Sequence, residues 1–133
     1  MANFDLERKS SSNNIIMIGV DEAGRGSWAG PLVATASWID FKDYKSLHKE
    51  INDSKKLTTN KRKQIILSLN NSVKYCSSIS SEREIDFYGL TFANTLAMKR
   101  SIFSILKILN NYTSTKNYKF EIFIDGKYKP NFL

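Results

Sequence analysis

The chain has 133 residues, 41% of them hydrophobic and 25% charged, with only 6 glycines and 2 prolines, so it fits one folded domain and excludes a collagen-like, low-complexity or wholly disordered polymer. Its 20 Lys and Arg against 13 Asp and Glu leave a formal charge of +7, which either favours polyanionic partners, nucleic acid first, or simply keeps a lysine-rich surface soluble. A single cysteine excludes a disulfide framework and a cysteine-built zinc site, and no apolar run reaches the length of a membrane span.

Residues 1–14 form a polar lead-in without the apolar core of a signal peptide, so the chain reads as cytosolic and the folded domain is expected over 15–133. Ile15–Val20 is a nearly all-apolar run ending in Asp21, the pattern of a central strand buried on both faces. Gly24, Gly26 and Gly30 mark a turn. Pro31–Ile39 resumes as a strand, with Pro31 at its first residue or on an edge because it lacks an N–H. Residues 40–56 read as a polar loop carrying Asp53-Ser54-Lys55-Lys56.

Thr58 is the expected N-cap of a helix running to about Asn70, with Ile65, Ile66 and Leu69 on its apolar side. Val73–Ser80 is a third strand. From Glu82 to about Leu109 the pattern is helical, with Ile85, Tyr88, Phe92, Leu96, Phe103 and Leu106 on one stripe and Gly89 as a break. After a loop over Asn110–Asn117, Lys119–Ile124 forms a last strand that ends in Asp125-Gly126. With no internal repeat and no linker, this is one mixed α/β domain. An α/β sheet covers both faces with helices, so at least one more helix is expected after that strand, and the C-terminal part is expected to be missing.

The residues able to do chemistry gather at strand ends. Asp21-Glu22 directly follows an apolar strand and opens the run Asp21-Glu22-Ala23-Gly24-Arg25-Gly26; adjacent carboxylates there call for a cation beside them. A hard divalent ion such as Mg²⁺ or Mn²⁺ prefers such oxygen ligands. In a strand Asp21 and Glu22 point to opposite faces, so one faces the site while the other reaches round or acts through its backbone. Asp125 repeats the arrangement, and if the two strands are neighbours their C-terminal acids converge where open α/β sheets place their sites. The alternative is that both aspartates cap turns.

Other readings of the same residues fit incompletely. Gly24-Arg25-Gly26-Ser27-Trp28-Ala29 matches a dinucleotide fingerprint, but a strand follows where a helix must start. Gly19 to Gly24 has P-loop spacing, but Arg25-Gly26 stands where Lys-Ser/Thr is needed. His48, the single histidine, reads as an exposed loop residue and Cys76 as a small core residue. Lys55 and Lys56 beside Ser54 are candidates for phosphate contact, whereas Lys61-Arg62-Lys63 reads as a solvated helix start.

Taken together, Gly19–Gly30 (GVDEAGRGSWAG), Pro31-Leu32-Val33-Ala34, Asn52–Leu57 (NDSKKL), Glu84–Asp86 (EID), Ala97–Arg100 (AMKR) and Ile124–Gly126 (IDG) resemble the type 2 ribonucleases H, specifically the ribonuclease HII family, from about residue 15 onward. The resemblance implies a ribonuclease H-like fold: a mixed sheet with flanking helices. It implies an endonuclease that cuts the RNA strand of RNA–DNA hybrids and cuts 5′ of ribonucleotides embedded in duplex DNA. Of the family's four carboxylates, Asp21, Glu22 and Asp125 match here and would hold Mn²⁺ or Mg²⁺, while the fourth would lie beyond Leu133.

By the same resemblance Gly24, Arg25 and Gly26 would read the ribose 2′-OH, and Ser54 and Lys55 would contact phosphates. Neither a membrane nor an obligate protein partner is implied. The chain departs from the family pattern at Ser27-Trp28, where Pro-Leu is usual, and at Lys127, where Asn is usual. A truncated, inactive remnant that at most binds nucleic acid is the alternative function. Ribonuclease HIII is the alternative sub-class, which usually has Gly-Thr-Gly where this chain has Gly24-Arg25-Gly26.

Overall fold

The computed structural model describes residues 14–27, 29–40, 51, 54–69, 73–112 and 117–125, with the side chains of Ser54 and Tyr112 left aside. In chain order these form β1 (Ile15–Ala23), β2 (Leu32–Ile39), a 3₁₀ turn (Ser54–Lys56), α1 (Thr59–Ser68), β3 (Val73–Ser80), α2 (Glu82–Tyr88), α3 (Leu90–Tyr112) and β4 (Lys119–Ile124). The strands make one mixed sheet in the order β3-β2-β1-β4. β2 runs antiparallel to both β1 and β3, while β4 runs parallel to β1 with Ile15 opposite Lys119 and Val20 opposite Ile124.

Strand alternation divides the sheet into two unequal faces. Ile16, Ile18 and Val20 of β1 and Leu32, Ala34 and Ala36 of β2 are all buried on one face, where α3 packs through Ala97, Met98, Ile102, Ile105 and Leu109. Phe120, Ile122 and Ile124 of β4 join that core from the edge. The second face carries Met17, Gly19 and Asp21, with Thr35 and Ser37 beside them. Only α1 stands over it among the described helices, its Ile66 and Leu69 lining one hollow with Ile39, Val73 and Tyr75. Phe123, Tyr75 and Ile79 on this face remain exposed. β1 is therefore fully buried on one face rather than on both.

β1 also runs past Asp21, because Asp21, Glu22 and Ala23 pair with Thr35, Ala34 and Val33 of β2. β2 starts at Leu32, one residue after Pro31. The stripe expected on the long helix is corrected. The buried positions of α3 are Ala93, Asn94, Ala97, Met98, Ser101, Ile102, Ile105 and Leu109, while Phe92 and Phe103 are each 53% exposed. Small residues win the inward face because they let the helix approach the sheet closely, and the two aromatics fall outside it. On α1 the buried residue is Ile65, and Ile66 is largely exposed.

Helix ends are set locally. Thr58 Oγ1 accepts from the Lys61 amide at 3.3 Å. Ser81 and Glu84 form a reciprocal capping box, and Gly89, with φ at +81°, separates α2 from α3. Among the described residues no helix is long and apolar enough to cross a membrane.

Candidate active site

The parallel pairing of β1 with β4 does more than close the sheet. Val20 stands opposite Ile124, and the Asp125 amide donates to the Val20 carbonyl at 3.2 Å, carrying the pairing one residue further. Asp21 and Asp125 thereby stand side by side at the C-terminal ends of neighbouring strands, on the open face. Both line a hollow of about 550 Å³ together with Gly19, Thr35, Ser37 and Phe123. Gly19 contributes no side chain, which leaves the floor open between Ser37 and Phe123.

Asp21 Oδ1 accepts from the Glu22 amide at 2.8 Å, which fixes that carboxylate toward the turn. Among the described residues neither Asp21 nor Asp125 has an ion-pair partner. Two carboxylates lining one hollow are a donor set of hard oxygens, which suits a hard divalent cation. In donor chemistry Asp21 and Asp125 fit Mg²⁺ or Mn²⁺. No group of three His, Cys, Asp or Glu able to hold a metal gathers among the described residues.

Glu22 is the acid that the fold keeps apart. Strand alternation sends it to the α3 side, opposite Ala34, and Arg25 Nη1 lies 3.5 Å from its Oε1. Its backbone amide, not its side chain, meets Asp21.

The glycines of the turn after β1 separate into two kinds. Gly24 has φ at +93°, and a Cβ added there would lie 2.7 Å from the Pro31 carbonyl oxygen, so the close approach of β1 and β2 itself requires glycine. The turn is closed by the Ser27 amide donating to the Gly24 carbonyl at 3.1 Å. Gly26 does not have a left-handed φ, and no atom of the described residues lies within 4 Å of an added Cβ, so the backbone there is open to an approaching ligand. Arg25 and Gly26 are both exposed.

Ser54 and Lys55 lie in the 3₁₀ turn, and Lys55 and Lys56 are exposed; Lys55 is not among the residues that line the hollow. Arg62 serves the start of α1, donating from Nη1 to the Leu57 carbonyl at 2.8 Å and from Nη2 to Thr59 Oγ1 at 3.2 Å. Cys76 is half-buried against the core, and burial pushes its thiol above the ordinary value. Trp28, His48, Asn52, Asp53 and Gly126–Leu133 lie outside the described residues.

Two features escaped sequence reasoning. Thr35, Ser37 and Phe123 line the hollow; hydroxyls alternating at 35 and 37 within an apolar run mark one face of β2, and only the strand register places them, and Phe123, beside Asp21. Glu84 and Arg100 are joined at 2.7 Å, while Arg100 Nη1 donates to the Ile79 carbonyl at 2.9 Å, tying α2, α3 and β3 together. Chiefly through the Arg100 hydrogen bond and then the Ser81 amide, the Glu84 carboxyl is held well below the usual range, at about 2. The role of both residues is structural.

A family model described as Ribonuclease HII matches residues 18–131. Ribonuclease HII of Fusobacterium nucleatum is 40% identical over 126 residues, covering 95% of this chain and 52% of that protein. Ribonuclease HII of Pseudothermotoga lettingae is 38% identical over 104 residues, covering 78% and 44%. The chain thus spans about half the length of these curated relatives. Among solved structures, Bst-RNase HIII in complex with Mn²⁺ superimposes with a TM-score of 0.67 at 21% identity, over 90% of this chain and 40% of that one. RNase HII of Archaeoglobus fulgidus, solved with PCNA, gives 0.61 at 18% identity, over 84% and 63%. These likenesses show the ribonuclease H-like α/β fold.

Proposed function

The chain belongs to the ribonuclease HII family, and on that premise we propose that it carries the catalytic strands of a divalent-metal-dependent endoribonuclease. Its substrates are RNA–DNA hybrids, cut in the RNA strand, and duplex DNA with embedded ribonucleotides, cut on their 5′ side. The observation that supports this most directly is the meeting of Asp21 and Asp125 in one hollow at the ends of two parallel strands.

In this reading Asp21 and Asp125 hold the cation, and Glu22 supports Asp21 through its amide. When bound, Mn²⁺ or Mg²⁺ supplies Lewis-acid chemistry, making water a nucleophile at neutral pH and neutralising charge on the leaving oxygen. Gly26, with Gly24 and Arg25 beside it, lets the ribose approach the backbone closely enough for its 2′-OH to be read, which is how RNA is told from DNA. Arg25 leaves Glu22 to meet the substrate, and Ser54 and Lys55 of the 3₁₀ turn steady phosphates of the duplex.

A second reading, a non-catalytic nucleic-acid-binding chain, draws support from the convergence of only two acids among the described residues. Cleavage of a labelled DNA duplex carrying one ribonucleotide, with Mn²⁺ and then Mg²⁺, separates the two. The enzyme reading expects a cut 5′ of the ribonucleotide that Asp125→Asn abolishes. A folded wild-type chain that binds the duplex in a salt-sensitive way, yet never cuts it, would establish the second reading.

A further inference from the structure

Next to Asp21 lies a pair of hydroxyls that the proposed chemistry leaves unused. Thr35 is directly opposite Asp21 in the β1–β2 register, and its Oγ1 lies 2.8 Å from Ser77 Oγ on β3. Thr35 lines the hollow with Asp21 and Asp125; Ser77 lies on the far side, toward α1. Residues directly opposite across a strand pair keep their Cβ atoms about 4.5–5.5 Å apart, a separation that one water can span between a hydroxyl and a carboxylate.

Two hydroxyls sharing one hydrogen bond possess two protons, and the bond uses only one. Its direction decides which oxygen has a donor to spare. The two carboxylates make the hollow negative, and that field favours Ser77 donating to Thr35 while Thr35 turns its own proton toward the acids.

We infer that Thr35 is a positioning residue of the carboxylate site: its hydroxyl, oriented by Ser77, donates to the water or oxygen ligand held at Asp21. This rests on the reading of Asp21 and Asp125 as a cation-holding pair. The simpler role, a cross-strand Thr–Ser bond that only steadies the sheet, makes a different forecast.

Calorimetric titration with MnCl₂ on the full chain distinguishes them. Thr35→Val keeps the β-branched shape and removes the hydroxyl, and is expected to weaken Mn²⁺ binding about five- to tenfold. Thr35→Ser restores the affinity, and Ser77→Ala weakens it less than Thr35→Val, because the Thr35 donor survives without its anchor. Circular dichroism confirms that each variant is folded. If Thr35→Val binds Mn²⁺ like the wild type and only its melting temperature falls, the sheet-steadying role is correct and the inference is overturned. If the wild type binds Mn²⁺ no better than Asp21→Asn and Asp125→Asn, the cation reading falls and takes the inference with it.

Discussion

Replacing Gly24 and Gly26 separately by alanine separates what the fold requires from what a ligand requires. At Gly24 an alanine would adopt a φ of +93° and place its Cβ 2.7 Å from the Pro31 carbonyl oxygen. The left-handed backbone alone costs about 1–2 kcal/mol, and relieving a contact with backbone adds about 1–2 kcal/mol more. Pro31 cannot retreat freely, because Leu32 next to it begins β2 and is fully buried. A loss of about 2–4 kcal/mol is therefore expected for Gly24→Ala, or a fall in melting temperature of roughly 10 °C for a domain of this size.

At Gly26 nothing among the described residues lies within 4 Å of the new Cβ and φ is not left-handed. Gly26→Ala is expected to be neutral, or to gain up to about 1 kcal/mol by restricting the unfolded chain. Urea denaturation with unchanged slope measures both values, and cleavage of the ribonucleotide-containing duplex measures function. The expected pattern is a destabilised Gly24→Ala and a stable Gly26→Ala that cuts at least about tenfold more slowly, as a displaced substrate would. Equal destabilisation of the two variants would refute the steric account of the turn, and a stable, fully active Gly26→Ala would refute backbone approach at that residue.

Saturating Mn²⁺ at about a hundred times its dissociation constant is expected to stabilise the wild type by about 2.7 kcal/mol, seen as a rise in melting temperature. Asp21→Asn and Asp125→Asn should lose that rise while remaining folded by circular dichroism. Ala97→Leu, on the tightly packed face of α3, is expected to cost about 1–3 kcal/mol in urea denaturation, more than Phe103→Ala at its 53% exposed position. Glu84 is lowered from 4.5 to about 2 by Arg100 and the Ser81 amide, so its contribution is complete above 4.5 and is lost as pH falls toward 2. Acid titration followed by circular dichroism should therefore show a shallower loss across that window in Glu84→Gln, and added salt should flatten the wild-type curve.

The elements whose limits were legible in the sequence are those with local determinants. β3 and β4 were bounded by composition, α1 by the Thr58 cap and the α2–α3 break by Gly89. The inward face of α3 was not legible, because large aromatics at helical spacing outweigh alanines in any reading of hydropathy. Only tertiary packing shows that Ala93 and Ala97 belong inside and Phe92 and Phe103 do not. The extension of β1 through Ala23 likewise depended on a partner strand. At the site, Asp21 and Asp125 could be named from their strand-end positions, and the opposite direction of Glu22 followed from strand alternation. Thr35 and Phe123 could not be placed there without the register of β2 and β4.

That register has a kinetic side. Asp21 reaches Asp125 only after the chain has passed through β2, β3 and both long-helix segments and returned to lie parallel to β1. Pairing of β1 with β2 across their short turn can form early at small loop-closure cost; β2 and β3 are separated by residues 40–72, and the β1–β4 pairing joins the most distant parts of the chain and pays the largest. The two acids therefore come together late, and no partly folded chain that lacks β4 can present them as a pair. If the proposed cation is captured by that pair, it would act as a latch on β4, slowing its departure rather than speeding its arrival.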